Sequence, residues 1–246
     1  MSNDDGADEG EEMLDKINKM WNLYMGVRVD PIKYIGEPDI YRLEAFYSGL
    51  DLYFERSEGM LCYRIEGFRE FLVDGKCTNP GNALGPADVV RFNCKDSEEA
   101  FYRFYEFLEE FLSIQGELYE PLCLIKPCKP LPIIEGGAEK VIWGLVNTEW
   151  TKIPAGGISL RLLESYISGV IHCALTLEDK CFELLPGFDE YLGERFSAED
   201  EMNRYQIIQE NSADDKEAFR NYYAWMQEFL RGKGPEYQPV VESGNL

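Results

Sequence analysis

Histidine is almost missing from this chain of 246 residues, which holds only His172. One imidazole cannot furnish a His-rich metal site. Cys173 beside it does not complete a nucleophile pair, because adjacent residues on a helix point about 100° apart. Positive charge is scarce as well: 24 Lys and Arg stand against 46 Asp and Glu, a formal net charge of -22. Nucleic acid and anionic membrane surfaces are therefore poor partners, and a basic protein is the natural one. No apolar run approaches the ~20 residues that cross a bilayer. The opening MSNDDGADEGEEMLDK is acidic, with no apolar run behind a basic region as a signal peptide has. A cytoplasmic protein is expected, with residues 1–10 a disordered acidic tail. The seven cysteines, Cys62, Cys77, Cys94, Cys123, Cys128, Cys173 and Cys181, are odd in number and lack Cys-x-x-Cys spacing. That suits reduced thiols better than disulfides or a zinc site. Gly232 to Gly234, GKG, follows a helical pattern instead of opening one, so it reads as a helix stop and not as a phosphate loop. No catalytic residue, metal ligand or cofactor is assigned.

What the chain does have is a copy of itself. At an offset of 120, Leu43 to Leu72 aligns without gaps on Leu163 to Leu192 with nine identities in thirty positions. At an offset of 118, Asp96 to Leu112 aligns on Asp214 to Leu230 with eight in seventeen. Unrelated segments of thirty residues share about two. Two blocks in the same order imply two tandem, homologous domains, 11–130 and 131–246, produced by internal duplication. The join falls in a segment broken by Pro121, Pro127, Pro130 and Pro132.

The periodicity inside each block is helical. Phe101, Phe104, Tyr105, Leu108, Phe111 and Leu112 recur at spacings of three and four, and Phe219, Tyr222, Tyr223, Met226, Phe229 and Leu230 repeat the stripe. Ile40, Leu43, Phe46, Tyr47, Leu50 and Phe54 match Leu160, Leu163, Tyr166, Ile167, Val170 and Ala174, with Asp39 and Ser159 placed as N-caps. GFREFLVDG and GFDEYLGERF read as short helices entered through glycine. ADVVRFN and NRYQIIQEN fit helix or strand, with helix preferred. The fold predicted is mainly α, two similar bundles in one chain, with short strands left open at those two segments.

The stretch DPIKYIGEPDIYRLEAFYSGLDLYF, with GFREFL and EEAFYRFYEFLEEFL downstream, resembles a group of small bacterial immunity-type proteins. Their pattern runs Arg-Pro-x-Met-Tyr-x-Gly, a capping Ser, Leu-x-x-Phe-x-x-Gly, Gly-Phe and an aromatic Ala-Phe helix. Pro31, Tyr34, Gly36, Leu43, Phe46, Gly49, Gly67, Phe68, Ala100 and Phe101 occupy motif positions. Asp30, Lys33 and Asp39 stand where the pattern has Arg, Met and Ser, and the second unit lacks the Pro-x-x-Tyr turn. Members of the group are largely uncharacterised, and many are encoded beside polymorphic or contact-dependent toxins, so the resemblance implies a non-enzymatic inhibitor of a cognate protein toxin. An acidic surface would speed its association with a basic toxin. The candidate contact residues are the acidic helix positions Glu106, Glu109, Glu110, Asp189 and Glu228 and the aromatics Tyr41, Tyr47 and Tyr53. The alternative is a duplicated scaffold or regulatory module that docks a non-toxin partner or a second copy of itself.

Overall fold

The computed structural model describes residues 5–58, 65, 67–78, 85–115, 159–178, 185, 187–199 and 202–233. Ten helices account for 82% of them and none lies in a strand, so the two ambiguous segments are helices. In chain order these are α1 Asp5–Val29, α2 Pro31–Ile35, α3 Ile40–Glu58, α4 Phe68–Gly75, α5 Pro86–Phe92, α6 Ser97–Gln115, α7 Leu160–Glu178, α8 Phe188–Phe196, α9 Arg204–Glu210 and α10 Asp215–Lys233. The proline-rich join near residue 130 and four of the cysteines, Cys62, Cys123, Cys128 and Cys181, lie outside the described residues. Two expectations shift. Residues 5–10, expected to be disordered, form the first turns of α1, where an acidic run suits the positive end of the helix dipole. Gly232, expected to stop the last helix, lies inside α10, which runs on to Lys233.

The last eight helices fall into two matching series. α7, α8, α9 and α10 start 120, 120, 118 and 118 residues after α3, α4, α5 and α6. The caps match too. Asp39 Oδ1 accepts the Tyr41 and Arg42 N–H groups at 2.8 and 3.0 Å, and Ser159 Oγ accepts the Leu162 N–H at 3.3 Å. Asp96 Oδ1 accepts the Glu99 N–H at 2.8 Å while the Glu99 carboxylate accepts the Lys95 N–H at 3.0 Å. Asp214 and Glu217 repeat this pair of bonds at 2.7 Å each, the second from the Ala213 N–H. α4 and α8 are both entered through a left-handed glycine, Gly67 at φ 82° and Gly187 at φ 83°, a conformation that costs other residues.

Backbone contacts divide the chain into two compact units, Met1–Ile133 with Ser165–Cys181, and Ile134–Glu164 with Phe182–Leu246. In the first, Met20, Tyr24 and Val27 of α1, the α3 stripe, Phe68 and Leu72 of α4, Val89 and Val90 of α5 and the α6 stripe form the core. The α7 residues of this unit cross α3 with almost no room between backbones. A Cβ on Gly49 would lie 2.0 Å from the Tyr166 carbonyl oxygen, and one on Gly169 would lie 2.1 Å from that of Phe46. Only glycine permits such an approach. In the second unit α8, α9 and α10 bury Phe188, Leu192, Ile207, Ile208, Phe219, Tyr222 and Met226.

Each unit holds one four-ring cluster of the same geometry. Phe68 meets Phe71, Phe104 and Phe111 at 6.2, 5.3 and 5.5 Å between centroids, with interplanar angles of 18°, 84° and 54°. Phe188 meets Tyr191, Tyr222 and Phe229 at 6.1, 6.0 and 5.3 Å, with angles of 15°, 87° and 48°. Edge-to-face and offset ring pairs of this kind add about 1 kcal/mol beyond the area they bury.

Candidate protein-interaction site

Of the three candidate aromatics, two are core residues. Tyr47 is 7% exposed and Tyr53 6%. The Tyr47 hydroxyl donates to the Tyr24 carbonyl at 3.0 Å and lies 2.5 Å from the Tyr105 hydroxyl, while its ring stacks on Tyr24. Neither Tyr47 nor Tyr53 can touch a partner without opening the unit, which corrects their expected role. The reason lies in helix phase: Tyr47 follows Leu43 by four and precedes Leu50 by three, so it shares their buried stripe. Tyr41 is half-buried at the start of α3.

The acidic candidates do lie at the surface, but each already holds a cation. Glu106 pairs with Arg103 at 3.1 Å, Glu109 with Arg28, and Glu110 with Lys76. In the second unit Arg195 reaches Glu228 at 2.8 Å and donates to the Tyr191 hydroxyl at 2.7 Å. The Arg28 guanidinium holds the Glu109 carboxyl below its usual range, and Arg195 does the same for Glu228. Such exposed pairs add little stability, but they cancel the local negative field. Glu106, Glu109 and Glu110 lie within two turns of α6, so the structure brings these three together.

Asp189 differs from the rest. It accepts the Arg204 N–H at 3.1 Å and its Nε and Nη2 groups at 2.8 Å each, and Arg204 is 8% exposed with its guanidinium over the Phe188 ring. Asp189 is the counter-charge of a buried cation, so its first duty is structural.

A polar cluster that the sequence did not announce lies where α3 meets α5. Tyr41 and Glu44 come from α3, Asp88 and Arg91 from α5. Glu44 Oε1 sits 3.1 Å from where a Gly85 Cβ would be, so the start of α5 is pressed over this carboxyl. Its Oε2 is buried and meets no hydrogen-bond donor among the described residues. Burial first, and then the Asp88 charge, push Glu44 up to about 7, and burial raises Asp88 as well. Burial and the Asp88 charge also raise the Tyr41 hydroxyl. The arrangement can take up or release a proton near neutrality. The legible signal was spacing: Glu44 stands four residues after Ile40 and three before Tyr47, on the margin of an apolar stripe.

His172 is half-buried, its ring 5.0 Å from Tyr34 and 5.8 Å from Phe46. Its Nδ1 lies 2.9 Å from the Ser168 carbonyl, and Ser168 Oγ donates to the Tyr34 carbonyl at 2.7 Å. Burial depresses its pKa, opposed by the Ser168 carbonyl and aided by the Lys33 charge. Cys173 is fully buried. Among the described residues no three His, Cys, Asp or Glu side chains gather as metal ligands, and no helix is long and apolar enough to cross a membrane.

No protein-family model matches the chain, and neither a curated protein nor a solved structure shows detectable similarity to it.

Proposed function

We propose that the chain is a non-enzymatic, immunity-type protein that binds and neutralises a basic protein toxin, working in the cytoplasm of a bacterium. The observation that carries this reading is the net charge of -22, a field that attracts a basic partner and repels an anionic one. The RPxMYxG-like motif around Tyr34 and Gly36 points the same way. Duplication of an ancestral helical unit accounts for the paired helix series, the repeated Asp96/Glu99 and Asp214/Glu217 caps and the twin ring clusters. The neutralised α6 face redirects the site: steering would come from the summed field of the molecule, and contact from Tyr41 and from whichever carboxylates exchange their internal cation for one on the toxin.

The test is co-expression with the product of the adjacent gene. Protection from that product, with an association rate that falls about tenfold between 50 and 500 mM salt, is the expected result. A toxic neighbour against which the chain gives no protection would sink the reading.

The second reading, a duplicated scaffold or regulatory module, draws on a specific observation. Glu106, Glu109, Glu110, Asp189 and Glu228 are all engaged within their own units, and Tyr47 and Tyr53 are buried. A non-toxic partner or a self-associated chain, with no salt-dependent binding of a basic protein, would favour it.

A further inference from the structure

Cys77 and Cys94 are free, half-buried thiols on two segments that are clamped together. Cys77 follows α4, and its N–H donates to the Leu72 carbonyl at 2.8 Å, as the Lys76 N–H does at 3.0 Å. Cys94 follows α5; its N–H donates to the Arg91 carbonyl at 3.2 Å and its own carbonyl accepts from Arg91 Nη1 at 2.9 Å. The clamp is the Asn93 side chain. Its Oδ1 accepts the Thr78 N–H at 2.9 Å, and its Nδ2 donates to the Thr78 carbonyl at 3.1 Å and to the Val89 carbonyl at 2.8 Å. The amide thus pairs with Thr78 on both sides, as a neighbouring strand would. Each cysteine is the immediate neighbour of one half of the clamp. The two thiols lie near enough for the charge of one to oppose ionisation of the other, and Arg103 of α6 acts on both.

We propose that Cys77 and Cys94 form a reversible disulfide, a redox staple between the C-terminal ends of α4 and α5 whose oxidant is a low-molecular-weight disulfide. One cysteine thiolate attacks a sulfur of that disulfide; the S–S bond breaks, and the departing thiolate takes up a proton equivalent to the one the cysteine lost. The second cysteine, deprotonated in turn, attacks the protein-bound sulfur of the mixed disulfide and expels the other small thiol. The net change is two protein thiols oxidised to one disulfide and one small disulfide reduced to two thiols. Burial raises both cysteines and Glu99 opposes ionisation of Cys94, while the Arg103 guanidinium favours both thiolates and that of Arg91 favours Cys94. Closure is therefore slow at neutral pH and faster as pH rises. The closed bond constrains residues 77–94 in the unfolded chain and ties α4 to α5, both of which pack on α6.

The experiment treats the reduced, full-length protein with oxidised glutathione, blocks remaining thiols in acid and digests with trypsin. Cleavage after Lys76, Arg91 and Lys95 releases residues 77–91 and 92–95, which each carry one of the two cysteines. The expected product is these two peptides joined by a reducible bond, in roughly tenfold excess over either one carrying glutathione. In concentrated urea that excess should vanish as the seven cysteines compete. The oxidised protein should melt roughly 5 °C or more above the reduced form. Cys77→Ser should leave Cys94 as its glutathione adduct and remove the increment. Recovery of Cys77 and Cys94 from native protein as separate adducts, joined to other cysteines, or unmodified even at pH 9 overturns the proposal, as does an unchanged melting temperature once the pair is joined.

Discussion

Glu44 and His172 respond to pH in opposite senses, and both signs follow from burial. Glu44 is raised from 4.5 to about 7, so between those values the folded protein keeps a proton that the unfolded chain releases. Stability therefore falls as pH rises through that window, by about 3 kcal/mol in all. Glu44→Gln should be more stable than the parent by about that amount at pH 8 and equal to it below pH 4.5, as read by urea unfolding at each pH. His172 is depressed from 6.5, so the unfolded chain takes up a proton first and stability falls as pH drops below 6.5. Its offset-120 counterpart, Leu52, is buried, and His172→Leu should flatten that acid limb. Asp189 and Glu106 form a second contrast. Asp189→Ala strands a buried guanidinium and should cost about 3 kcal/mol, whereas Glu106→Gln should stay within about 0.5 kcal/mol in the same urea assay. Lost binding in an Asp189 variant would thus report damage as readily as contact. At this scale the sequence revealed residue types but not neighbours: nothing in it pairs Arg204 with Asp189 or places Asp88 beside Glu44.

The helices were the most legible level, because apolar spacing of three and four states directly which face is buried. The α6 and α10 stripes are buried except at Leu112 and Tyr223, which are half-buried, and the caps at Asp39 and Ser159 and the glycine entries to α4 and α8 appear as read. The five-residue α2 was not read as a helix, since one turn is too short to show a period. Its Pro31 start and the Asp30 side chain accepting the Lys33 N–H at 3.1 Å are visible only as a local turn signal. Nor was the α3–α7 crossing legible, although Gly49 and Gly169 were among the repeated identities. Glycine on a helix stripe marks close packing without naming the opposing backbone. Gly49→Ala should cost roughly 2 kcal/mol or more even after a helix-propensity gain of about 1 kcal/mol, because its Cβ would displace a carbonyl rather than a flexible side chain. Gly49→Ala with Gly169→Ala should cost less than the sum of the single changes, since both open one shared crossing. Additive losses in a urea denaturation cycle would contradict that geometry.

Across the whole molecule, charge dominates. A net charge of -22 repels itself, so the melting temperature should rise between 50 and 500 mM sodium chloride, while the association proposed above with a basic toxin should weaken. A melting temperature unmoved by salt would show that the internal ion pairs already balance the field. Self-alignment anticipated the matching spacing of the two helix series, but not the path of the chain: most of α7 belongs with the compact unit of α1 to α6. Sequence alignment says which segments correspond, while packing decides which segment completes which core.

The Gly49–Gly169 contact also reads the same from either side: Gly49 faces the carbonyl of Tyr166, and Gly169 faces that of Phe46, the residue aligned with Tyr166. A contact with this self-complementary form can be completed between molecules as well as within one. Refolding at high concentration should therefore yield some dimer in which α7 is exchanged with a second copy, a species that size-exclusion chromatography would reveal. Exchange would make dimers without any new surface, and dilution alone would release them only as fast as the chain unfolds.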